Sequence, residues 1–199
     1  MRRPRILIAD DHHLMAELCR NLLELEFEVV GTIDNGRALI HAASELRPDV
    51  IVLDIAMPLL NGLDAGEQAK RVLPHVKLVF LTMTADSEVA AEAFRRGASA
   101  YLVKTCASTE MIAAVRDVLR GKTYLSPQLS KDPVDFIRRQ NRVLVEEQER
   151  LTERQREVLQ LLAEGKVMKE VGNILHMATR TVALSQIPHH GSPGREEYC

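Results

Sequence analysis

Val50-Ile51-Val52-Leu53-Asp54 is the stretch that decides the fold. Four apolar residues run in succession, and three of them are β-branched. A strand with one wet face alternates polar and apolar side chains, whereas an uninterrupted apolar run belongs to a strand covered on both faces. The run follows Pro48, which stops a helical pattern over residues 38–46, and it ends on a carboxylate. The same unit recurs outward in both directions. Toward the N-terminus, Ile6-Leu7-Ile8-Ala9 ends on Asp10-Asp11, and a helical stretch with Leu14, Leu18, Leu22 and Leu25 follows. Glu28–Ile33 reads as a strand broken by Asn35-Gly36. Toward the C-terminus, helix is expected over 63–73, strand over 77–82, helix over 87–96 stopped at Gly97, and strand over 100–103. A helix over 109–120, capped by Ser108 and closed by Gly121, completes the series. Five strands alternating with five helices predict an α/β fold, a doubly wound five-stranded parallel sheet.

Composition supports a folded protein and excludes several classes. Of 199 residues, 46% are hydrophobic and 27% charged, which is incompatible with wholesale disorder. No apolar run approaches the roughly 20 residues of a membrane span, so no membrane partner is expected. The basic Met1-Arg2-Arg3-Pro4-Arg5 precedes an apolar run too short for a signal peptide. Cys19, Cys106 and Cys199 lie too far apart to frame disulfides or a metal site, and a reducing cytoplasm is expected. The net charge of −2 resolves by region. Residues 1–121 carry 14 Lys and Arg against 17 Asp and Glu, 122–148 carry 5 against 4, and 149–199 carry 7 against 7.

Sites in parallel sheets form beyond the carboxyl ends of the strands. Here those ends carry Asp10 and Asp11, then Asp54, Thr82 and Lys104. Each alone has an ordinary explanation: a helix cap, a solvated lysine, a structural threonine. Together, in order at successive strand ends, they describe a pocket. Three clustered carboxylates call for a cation, and oxygen-only ligands suit Mg²⁺, or Mn²⁺. An ammonium and a hydroxyl beside a metal stabilise a phosphoryl group. A carboxylate can itself accept phosphate, and Asp54, delivered by the central strand, is the candidate.

Residues 4–121 resemble a two-component receiver domain. The likeness rests on Asp10-Asp11, on Asp54-Ile55-Ala56-Met57-Pro58 with Asn61-Gly62-Leu63, on Thr82, on Gly97-Ala98, and on Tyr101-Leu102-Val103-Lys104. The resemblance implies strand order 2-1-3-4-5 and phosphorylation of Asp54 by a sensor histidine kinase. It implies a metal held by Asp11, Asp54 and the backbone carbonyl of Ala56, with Asp10 contacting it largely through water. It implies that Lys104 pairs with the phosphoryl group and that Thr82 and Tyr101 act as the switch. A receiver catalyses only its own phosphorylation and dephosphorylation, so no enzyme acting on a separate substrate is implied. Thr105 stands where many receivers have proline.

Past residue 121 the pattern changes. Residues 122–150 read as a linker, partly helical from Asp132-Pro133-Val134-Asp135 onward. From Leu151 the pattern is helical only, with helices expected over 153–164, over 169–175 and from Thr179. Leu151-Thr152-Glu153-Arg154-Gln155-Arg156-Glu157-Val158-Leu159 and the stretch to Gly165 are similar to a LuxR/NarL-type helix-turn-helix, continued by Lys169-Glu170-Val171, Leu175 and Thr179-Arg180-Thr181-Val182. That resemblance implies promoter DNA as a partner, with Lys169, Thr179, Arg180 and Thr181 as candidate contacts. The likeness stops after Val182. The family continues with a basic amphipathic helix, whereas Ala183 to Cys199 holds two prolines and two glycines. The helix-turn-helix over 151–182 is thus expected to be truncated, with an irregular tail over 183–199. A frameshift near codons 183–184 accounts for such a break. Codons exist for Leu184 to Gly191 that, read one base later, restore the family's continuation.

Two functions follow. One is a two-component response regulator that controls transcription through its C-terminal helices and forms a homodimer. The alternative is a phosphorylation-dependent interaction or phosphate-sink protein that has lost DNA binding. A phosphatase of the haloacid-dehalogenase type is disfavoured, because Asp-x-Asp-x-Thr does not follow the first strand.

Overall fold

The computed structural model describes residues 2–83, 85–105, 108–129, 151–178 and 181–182. The chain divides into two compact units, residues 1–148 and residues 149–199.

In the N-terminal unit the order is β1 (Arg5–Ala9), α1 (His13–Leu23), β2 (Glu28–Ile33), α2 (Gly36–Leu46), β3 (Val50–Asp54), α3 (Gly62–Val72), β4 (Lys77–Thr82), α4 (Ser87–Arg95), β5 (Ala100–Val103), α5 (Ser108–Leu119) and β6 (Tyr124–Leu125). All strands pair in parallel, in the order 2-1-3-4-5-6. β3 is buried at every position, as its apolar run requires. Side chains alternate between two cores. Leu7, Ile51, Leu53, Leu78, Phe80 and Tyr101 face one way, toward buried residues of α2, α3 and α4. Ile6, Ile8, Val50, Val52, Val79 and Leu102 face the other, toward Ala16, Cys19 and Leu23 of α1 and Met111 to Val118 of α5. Each fully buried aliphatic side chain contributes about 1.5–3 kcal/mol, so the two layers together hold the sheet.

One expectation is corrected. The sheet has six strands, not five: Tyr124 and Leu125 pair with Ala100 and Tyr101. The stretch assigned to the linker over 122–150 therefore contributes Tyr124 and Leu125 to the sheet. β5 had an open edge, and a β-favouring Tyr-Leu pair satisfies it, with Tyr124 N–H on the Ser99 carbonyl (3.0 Å) and Ser126 N–H on the Tyr101 carbonyl (2.9 Å). Leu129 closes over the core of the α4 side. α1 forms where the leucine spacing predicts a helix, with Leu14 and Leu18 exposed, as is Leu25 beyond the helix end. The small residues Ala16 and Cys19, with Leu23, fit against the sheet instead.

In the C-terminal unit, α6 (Glu153–Ala163) and α7 (Met168–Leu175) match the expected first two helices. Thr152 caps α6 in a reciprocal box. It accepts Gln155 N–H at 3.3 Å, and its own N–H donates to Gln155 Oε1 at 2.8 Å. Gly165, at φ +83°, lets the chain turn between the helices. Val158 and Leu161 of α6 are buried, as are Val171 and Leu175 of α7 and Val182. Arg154 reaches across from α6, donating to Glu157 Oε2 at 2.6 Å and to the Leu175 carbonyl. Of the third helix, Thr181 and Val182 are helical. Thr179, Arg180, the helical stretch from Asp132 and the tail over 183–199 lie outside the described residues.

Candidate functional site

The carboxyl ends of β1, β3, β4 and β5 bring Asp10, Asp11, Asp54, Thr82 and Lys104 to one edge. Asp10 and Asp54 are both 3% exposed and Thr82 is 8% exposed. Asp11 is partly exposed and opens the cluster to solvent. Lys104 Nζ lies 2.8 Å from Asp10 Oδ2 and 2.8 Å from Asp54 Oδ2. The contact to Asp54 is a hydrogen bond. The contact to Asp10 Oδ2 is ionic only, and no donor is aligned on that oxygen. Two buried carboxylates facing each other would repel strongly, and the ammonium between them offsets that. Burial by itself would lower the Lys104 pKa; its close contacts with the Asp10 and Asp54 carboxylates outweigh burial and raise it. Lys104 is therefore held charged.

The loop after β3 shapes the floor of the pocket. Asp54 Oδ1 accepts a long bond from Ala56 N–H at 3.3 Å. Gly62 N–H donates to the Ile55 carbonyl at 2.8 Å. A Cβ on Gly62 would stand 1.9 Å from the Asp54 carbonyl oxygen, so no other residue fits there without moving Asp54. Asn61 caps α3, accepting Asp64 N–H at 3.0 Å. On β4, the Thr82 carbonyl accepts Lys104 N–H at 2.6 Å. Tyr101, one strand away, is wholly buried, with its ring already turned inward among the residues of the α4 side. Burial pushes its pKa up to about 12; the nearby Thr82 side chain works the other way, and the charge of Asp86 adds to the rise.

The sequence-predicted receiver residues thus converge. One neighbour was missed: His12 Nδ1 lies 3.0 Å from Asp11 Oδ1. One ligand atom each from Asp10, Asp11, His12 and Asp54 can be chosen so that all lie within 4.8 Å of one another. His12 follows Asp10-Asp11 directly, and that adjacency was the available signal. The donor chemistry fits a divalent cation: carboxylates dominate, and a buried Asp10 oxygen has no aligned donor. In the C-terminal unit, Lys169 and Thr181 are both exposed.

Comparison with known proteins agrees with this geometry. Residues 6–116 match the response regulator receiver domain, and residues 149–186 match the bacterial regulatory proteins of the luxR family. The transcriptional regulatory protein LnrK of Bacillus subtilis is 35% identical over 89% of this chain and 85% of its own length. The response regulator protein VraR of Staphylococcus aureus is 31% identical over 89% of this chain and 84% of its own length. Among solved structures, a LuxR-family two-component response regulator from Aurantimonas superposes with a TM-score of 0.64 at 27% identity, covering 67% of this chain and 96% of that one. No helix among the described residues is long and apolar enough to cross a membrane. With the pocket, the 2-1-3-4-5 strand order and both matches in place, the chain belongs to the transcription-controlling response regulators that join a receiver domain to a luxR-family regulatory domain.

Proposed function

We propose that this response regulator takes a phosphoryl group from a sensor histidine kinase on Asp54. The observation that carries the reading is the pair of 2.8 Å contacts from Lys104 to Asp10 and Asp54 at the carboxyl edge of the sheet. Asp54 would attack phosphorus, and the leaving nitrogen of the kinase histidine would depart with the electrons of its bond. Asp11, Asp54 and the Ala56 carbonyl would hold Mg²⁺ or Mn²⁺, with Asp10 behind them. The metal supplies charge neutralisation at the transferring group. Lys104 adds its own positive charge to the phosphoryl oxygens. The phosphoryl group brings about −1.5 to −2 of charge and three acceptor oxygens. The Thr82 hydroxyl follows it, and the enclosed Tyr101 ring holds the space that Thr82 vacates. The chain would work in the cytoplasm, act on no separate substrate, and pair with a second copy.

The division proposed is receiver over 1–121, linker over 122–150, helix-turn-helix over 151–182 and tail over 183–199, with the first residues of the linker anchored on β5. Lys169, Thr179, Arg180 and Thr181 would face promoter DNA. The test of the receiver reading is labelling by acetyl phosphate with Mg²⁺, comparing wild type with Asp54→Asn. Label is expected on wild type alone; equal labelling overturns the assignment. The phosphate-sink alternative is favoured by one observation, the loss of the basic helix after Val182. Binding to promoter DNA that weakens steeply with salt excludes it; no binding at low salt supports it.

A further inference from the structure

A second cluster of buried charge lies outside the pocket, between α3 and the end of α4. The Asp64 side chain is 0% exposed and that of Arg96 14%. Arg96 Nη1 meets Asp64 Oδ1 at 2.5 Å and Glu67 Oε2 at 3.5 Å, and Arg96 Nε donates to Glu92 Oε1 at 2.5 Å. Glu92 also pairs with Arg95. One guanidinium therefore serves three carboxylates, two from α3 and one from α4. An Asp as enclosed as Asp64 is tolerable only while a cation and hydrogen bonds satisfy it.

The other oxygen of Asp64 leads to the pocket. Asp64 Oδ2 accepts Asn61 Nδ2–H at 2.7 Å, and Asn61 Oδ1 accepts Asp64 N–H at 3.0 Å. The next residue, Gly62, rests on the Asp54 carbonyl and donates to Ile55 at 2.8 Å. The path from Arg96 to the backbone of Asp54 and Ile55 is thus continuous contact: Arg96, Asp64, Asn61-Gly62, then the strand end. Ala56, whose carbonyl belongs to the proposed metal site, lies in the same loop. A separate tie, Lys70 Nζ to the Gly97 carbonyl at 2.7 Å, joins α3 to the end of α4 without Arg96. Removing the guanidinium therefore disturbs the start of α3 while leaving that second attachment.

We propose that Arg96 is a positioning residue for the Asp54 pocket, acting through Asp64 to fix the loop of residues 55–61. Its link to metal binding rests on the Asp54 reading above. Without Arg96, Asp64 Oδ1 loses its guanidinium partner, and the hold of Asp64 on Asn61 and the first turn of α3 loosens. The pocket then binds its cation through a looser loop. The residue touches neither phosphoryl group nor metal. By reciprocity, whatever orders the loop also steadies the end of α4.

The experiment uses the full chain and two readouts. Amide hydrogen exchange at Gly62 is measured without metal or phosphoryl donor. The Mg²⁺ concentration giving half-maximal labelling by acetyl phosphate is measured separately. Arg96→Ala is expected to speed Gly62 exchange and raise the Mg²⁺ requirement by roughly tenfold each, with the labelling plateau recovered at excess Mg²⁺. Asp64→Asn is expected to do the same, Arg96→Lys to recover part of the loss, and the double variant to add little to either single one. Wild-type exchange and Mg²⁺ requirement in folded Arg96→Ala overturn the proposal. If that variant fails to fold, unchanged values in both Arg96→Lys and Asp64→Asn overturn it equally. Labelling of Asp54→Asn at the wild-type level would overturn the Asp54 reading instead, and leaves the metal-free exchange result standing on its own.

Discussion

The two units solve the problem of charge in opposite ways. The N-terminal unit buries Asp10, Asp54, Asp64 and Lys104, and does so beneath a sheet with an apolar layer on each face. The C-terminal unit buries Glu157, answered by Arg154 at 2.6 Å, and rests on a short set of aliphatic contacts. Buried ions cost several kcal/mol each to desolvate, so a structure must have packing to spare before it can hold a cluster of them. The sheet has that reserve. Two short helices bury much less, because surface shrinks more slowly than volume as a fold becomes smaller. The clustered charges sit where the core can carry them.

The largest expected effect comes from Gly62→Ala. A methyl group 1.9 Å from the Asp54 carbonyl oxygen forces the backbone apart. The N-terminal unit should lose about 3 kcal/mol, read by urea unfolding, and phosphoryl labelling should fall away. Unchanged unfolding would show that the contact between α3 and β3 is not rigid. Leu161→Ala tests the other unit. It removes a fully buried side chain from a small core and should cost about 2 kcal/mol. Calorimetry should show the C-terminal transition lost or shifted down while the N-terminal one stays in place. A single common shift would mean that the two units unfold together.

Next in size is an alkaline effect confined to the N-terminal unit. Tyr101 has its pKa raised in the folded state to about 12 from 10.0, chiefly by burial. A group raised in the folded state supports stability fully below its unfolded pKa and loses that support as pH rises through the folded value. Stability linked to Tyr101 is therefore present below about pH 10 and declines toward pH 12. Phenolate absorbance should show Tyr101 ionising at about pH 12 or on unfolding. Tyr101→Phe should remove that step, and ionisation of Tyr101 near its ordinary value would show that the ring is not enclosed. The smallest effect is Thr152→Ala, which deletes the cap of α6 and should cost about 1 kcal/mol. Its consequence should appear in helix content of the C-terminal unit and leave phosphoryl labelling unchanged.

Much of the pocket was legible because it is written at strand ends, and strand ends follow from local apolar runs. Asp54 needed only the four-residue apolar run before it and the carboxylate at its close. The order of the first five strands followed the family likeness. What escaped reading has one physical cause. Asp64 and Arg96 are 32 residues apart, and no spacing rule joins an aspartate in one helix to an arginine at the end of another. The buried face of α1 was not legible for a related reason: periodicity shows that a helix has a leucine face, but the partner surface decides which face is buried. The sheet accepted Ala16 and Cys19 at close range, and the leucines were turned outward. β6 was missed because two residues are too few to form a pattern, and only the open edge of β5 makes them a strand.

That short strand has a bearing on solubility. Ala100–Val103 is apolar and buried throughout, and as the outermost strand of the sheet it would offer a ladder of backbone groups to any similar strand from another molecule. Tyr124 and Leu125 occupy that ladder first. What they leave outermost is only two residues long and runs at once into Pro127, which has no N–H to donate. On the β5 side, the ladder of Ala100 and Tyr101 is therefore already taken within the same chain. Trimming the chain before Tyr124, to obtain a smaller receiver, would reopen it.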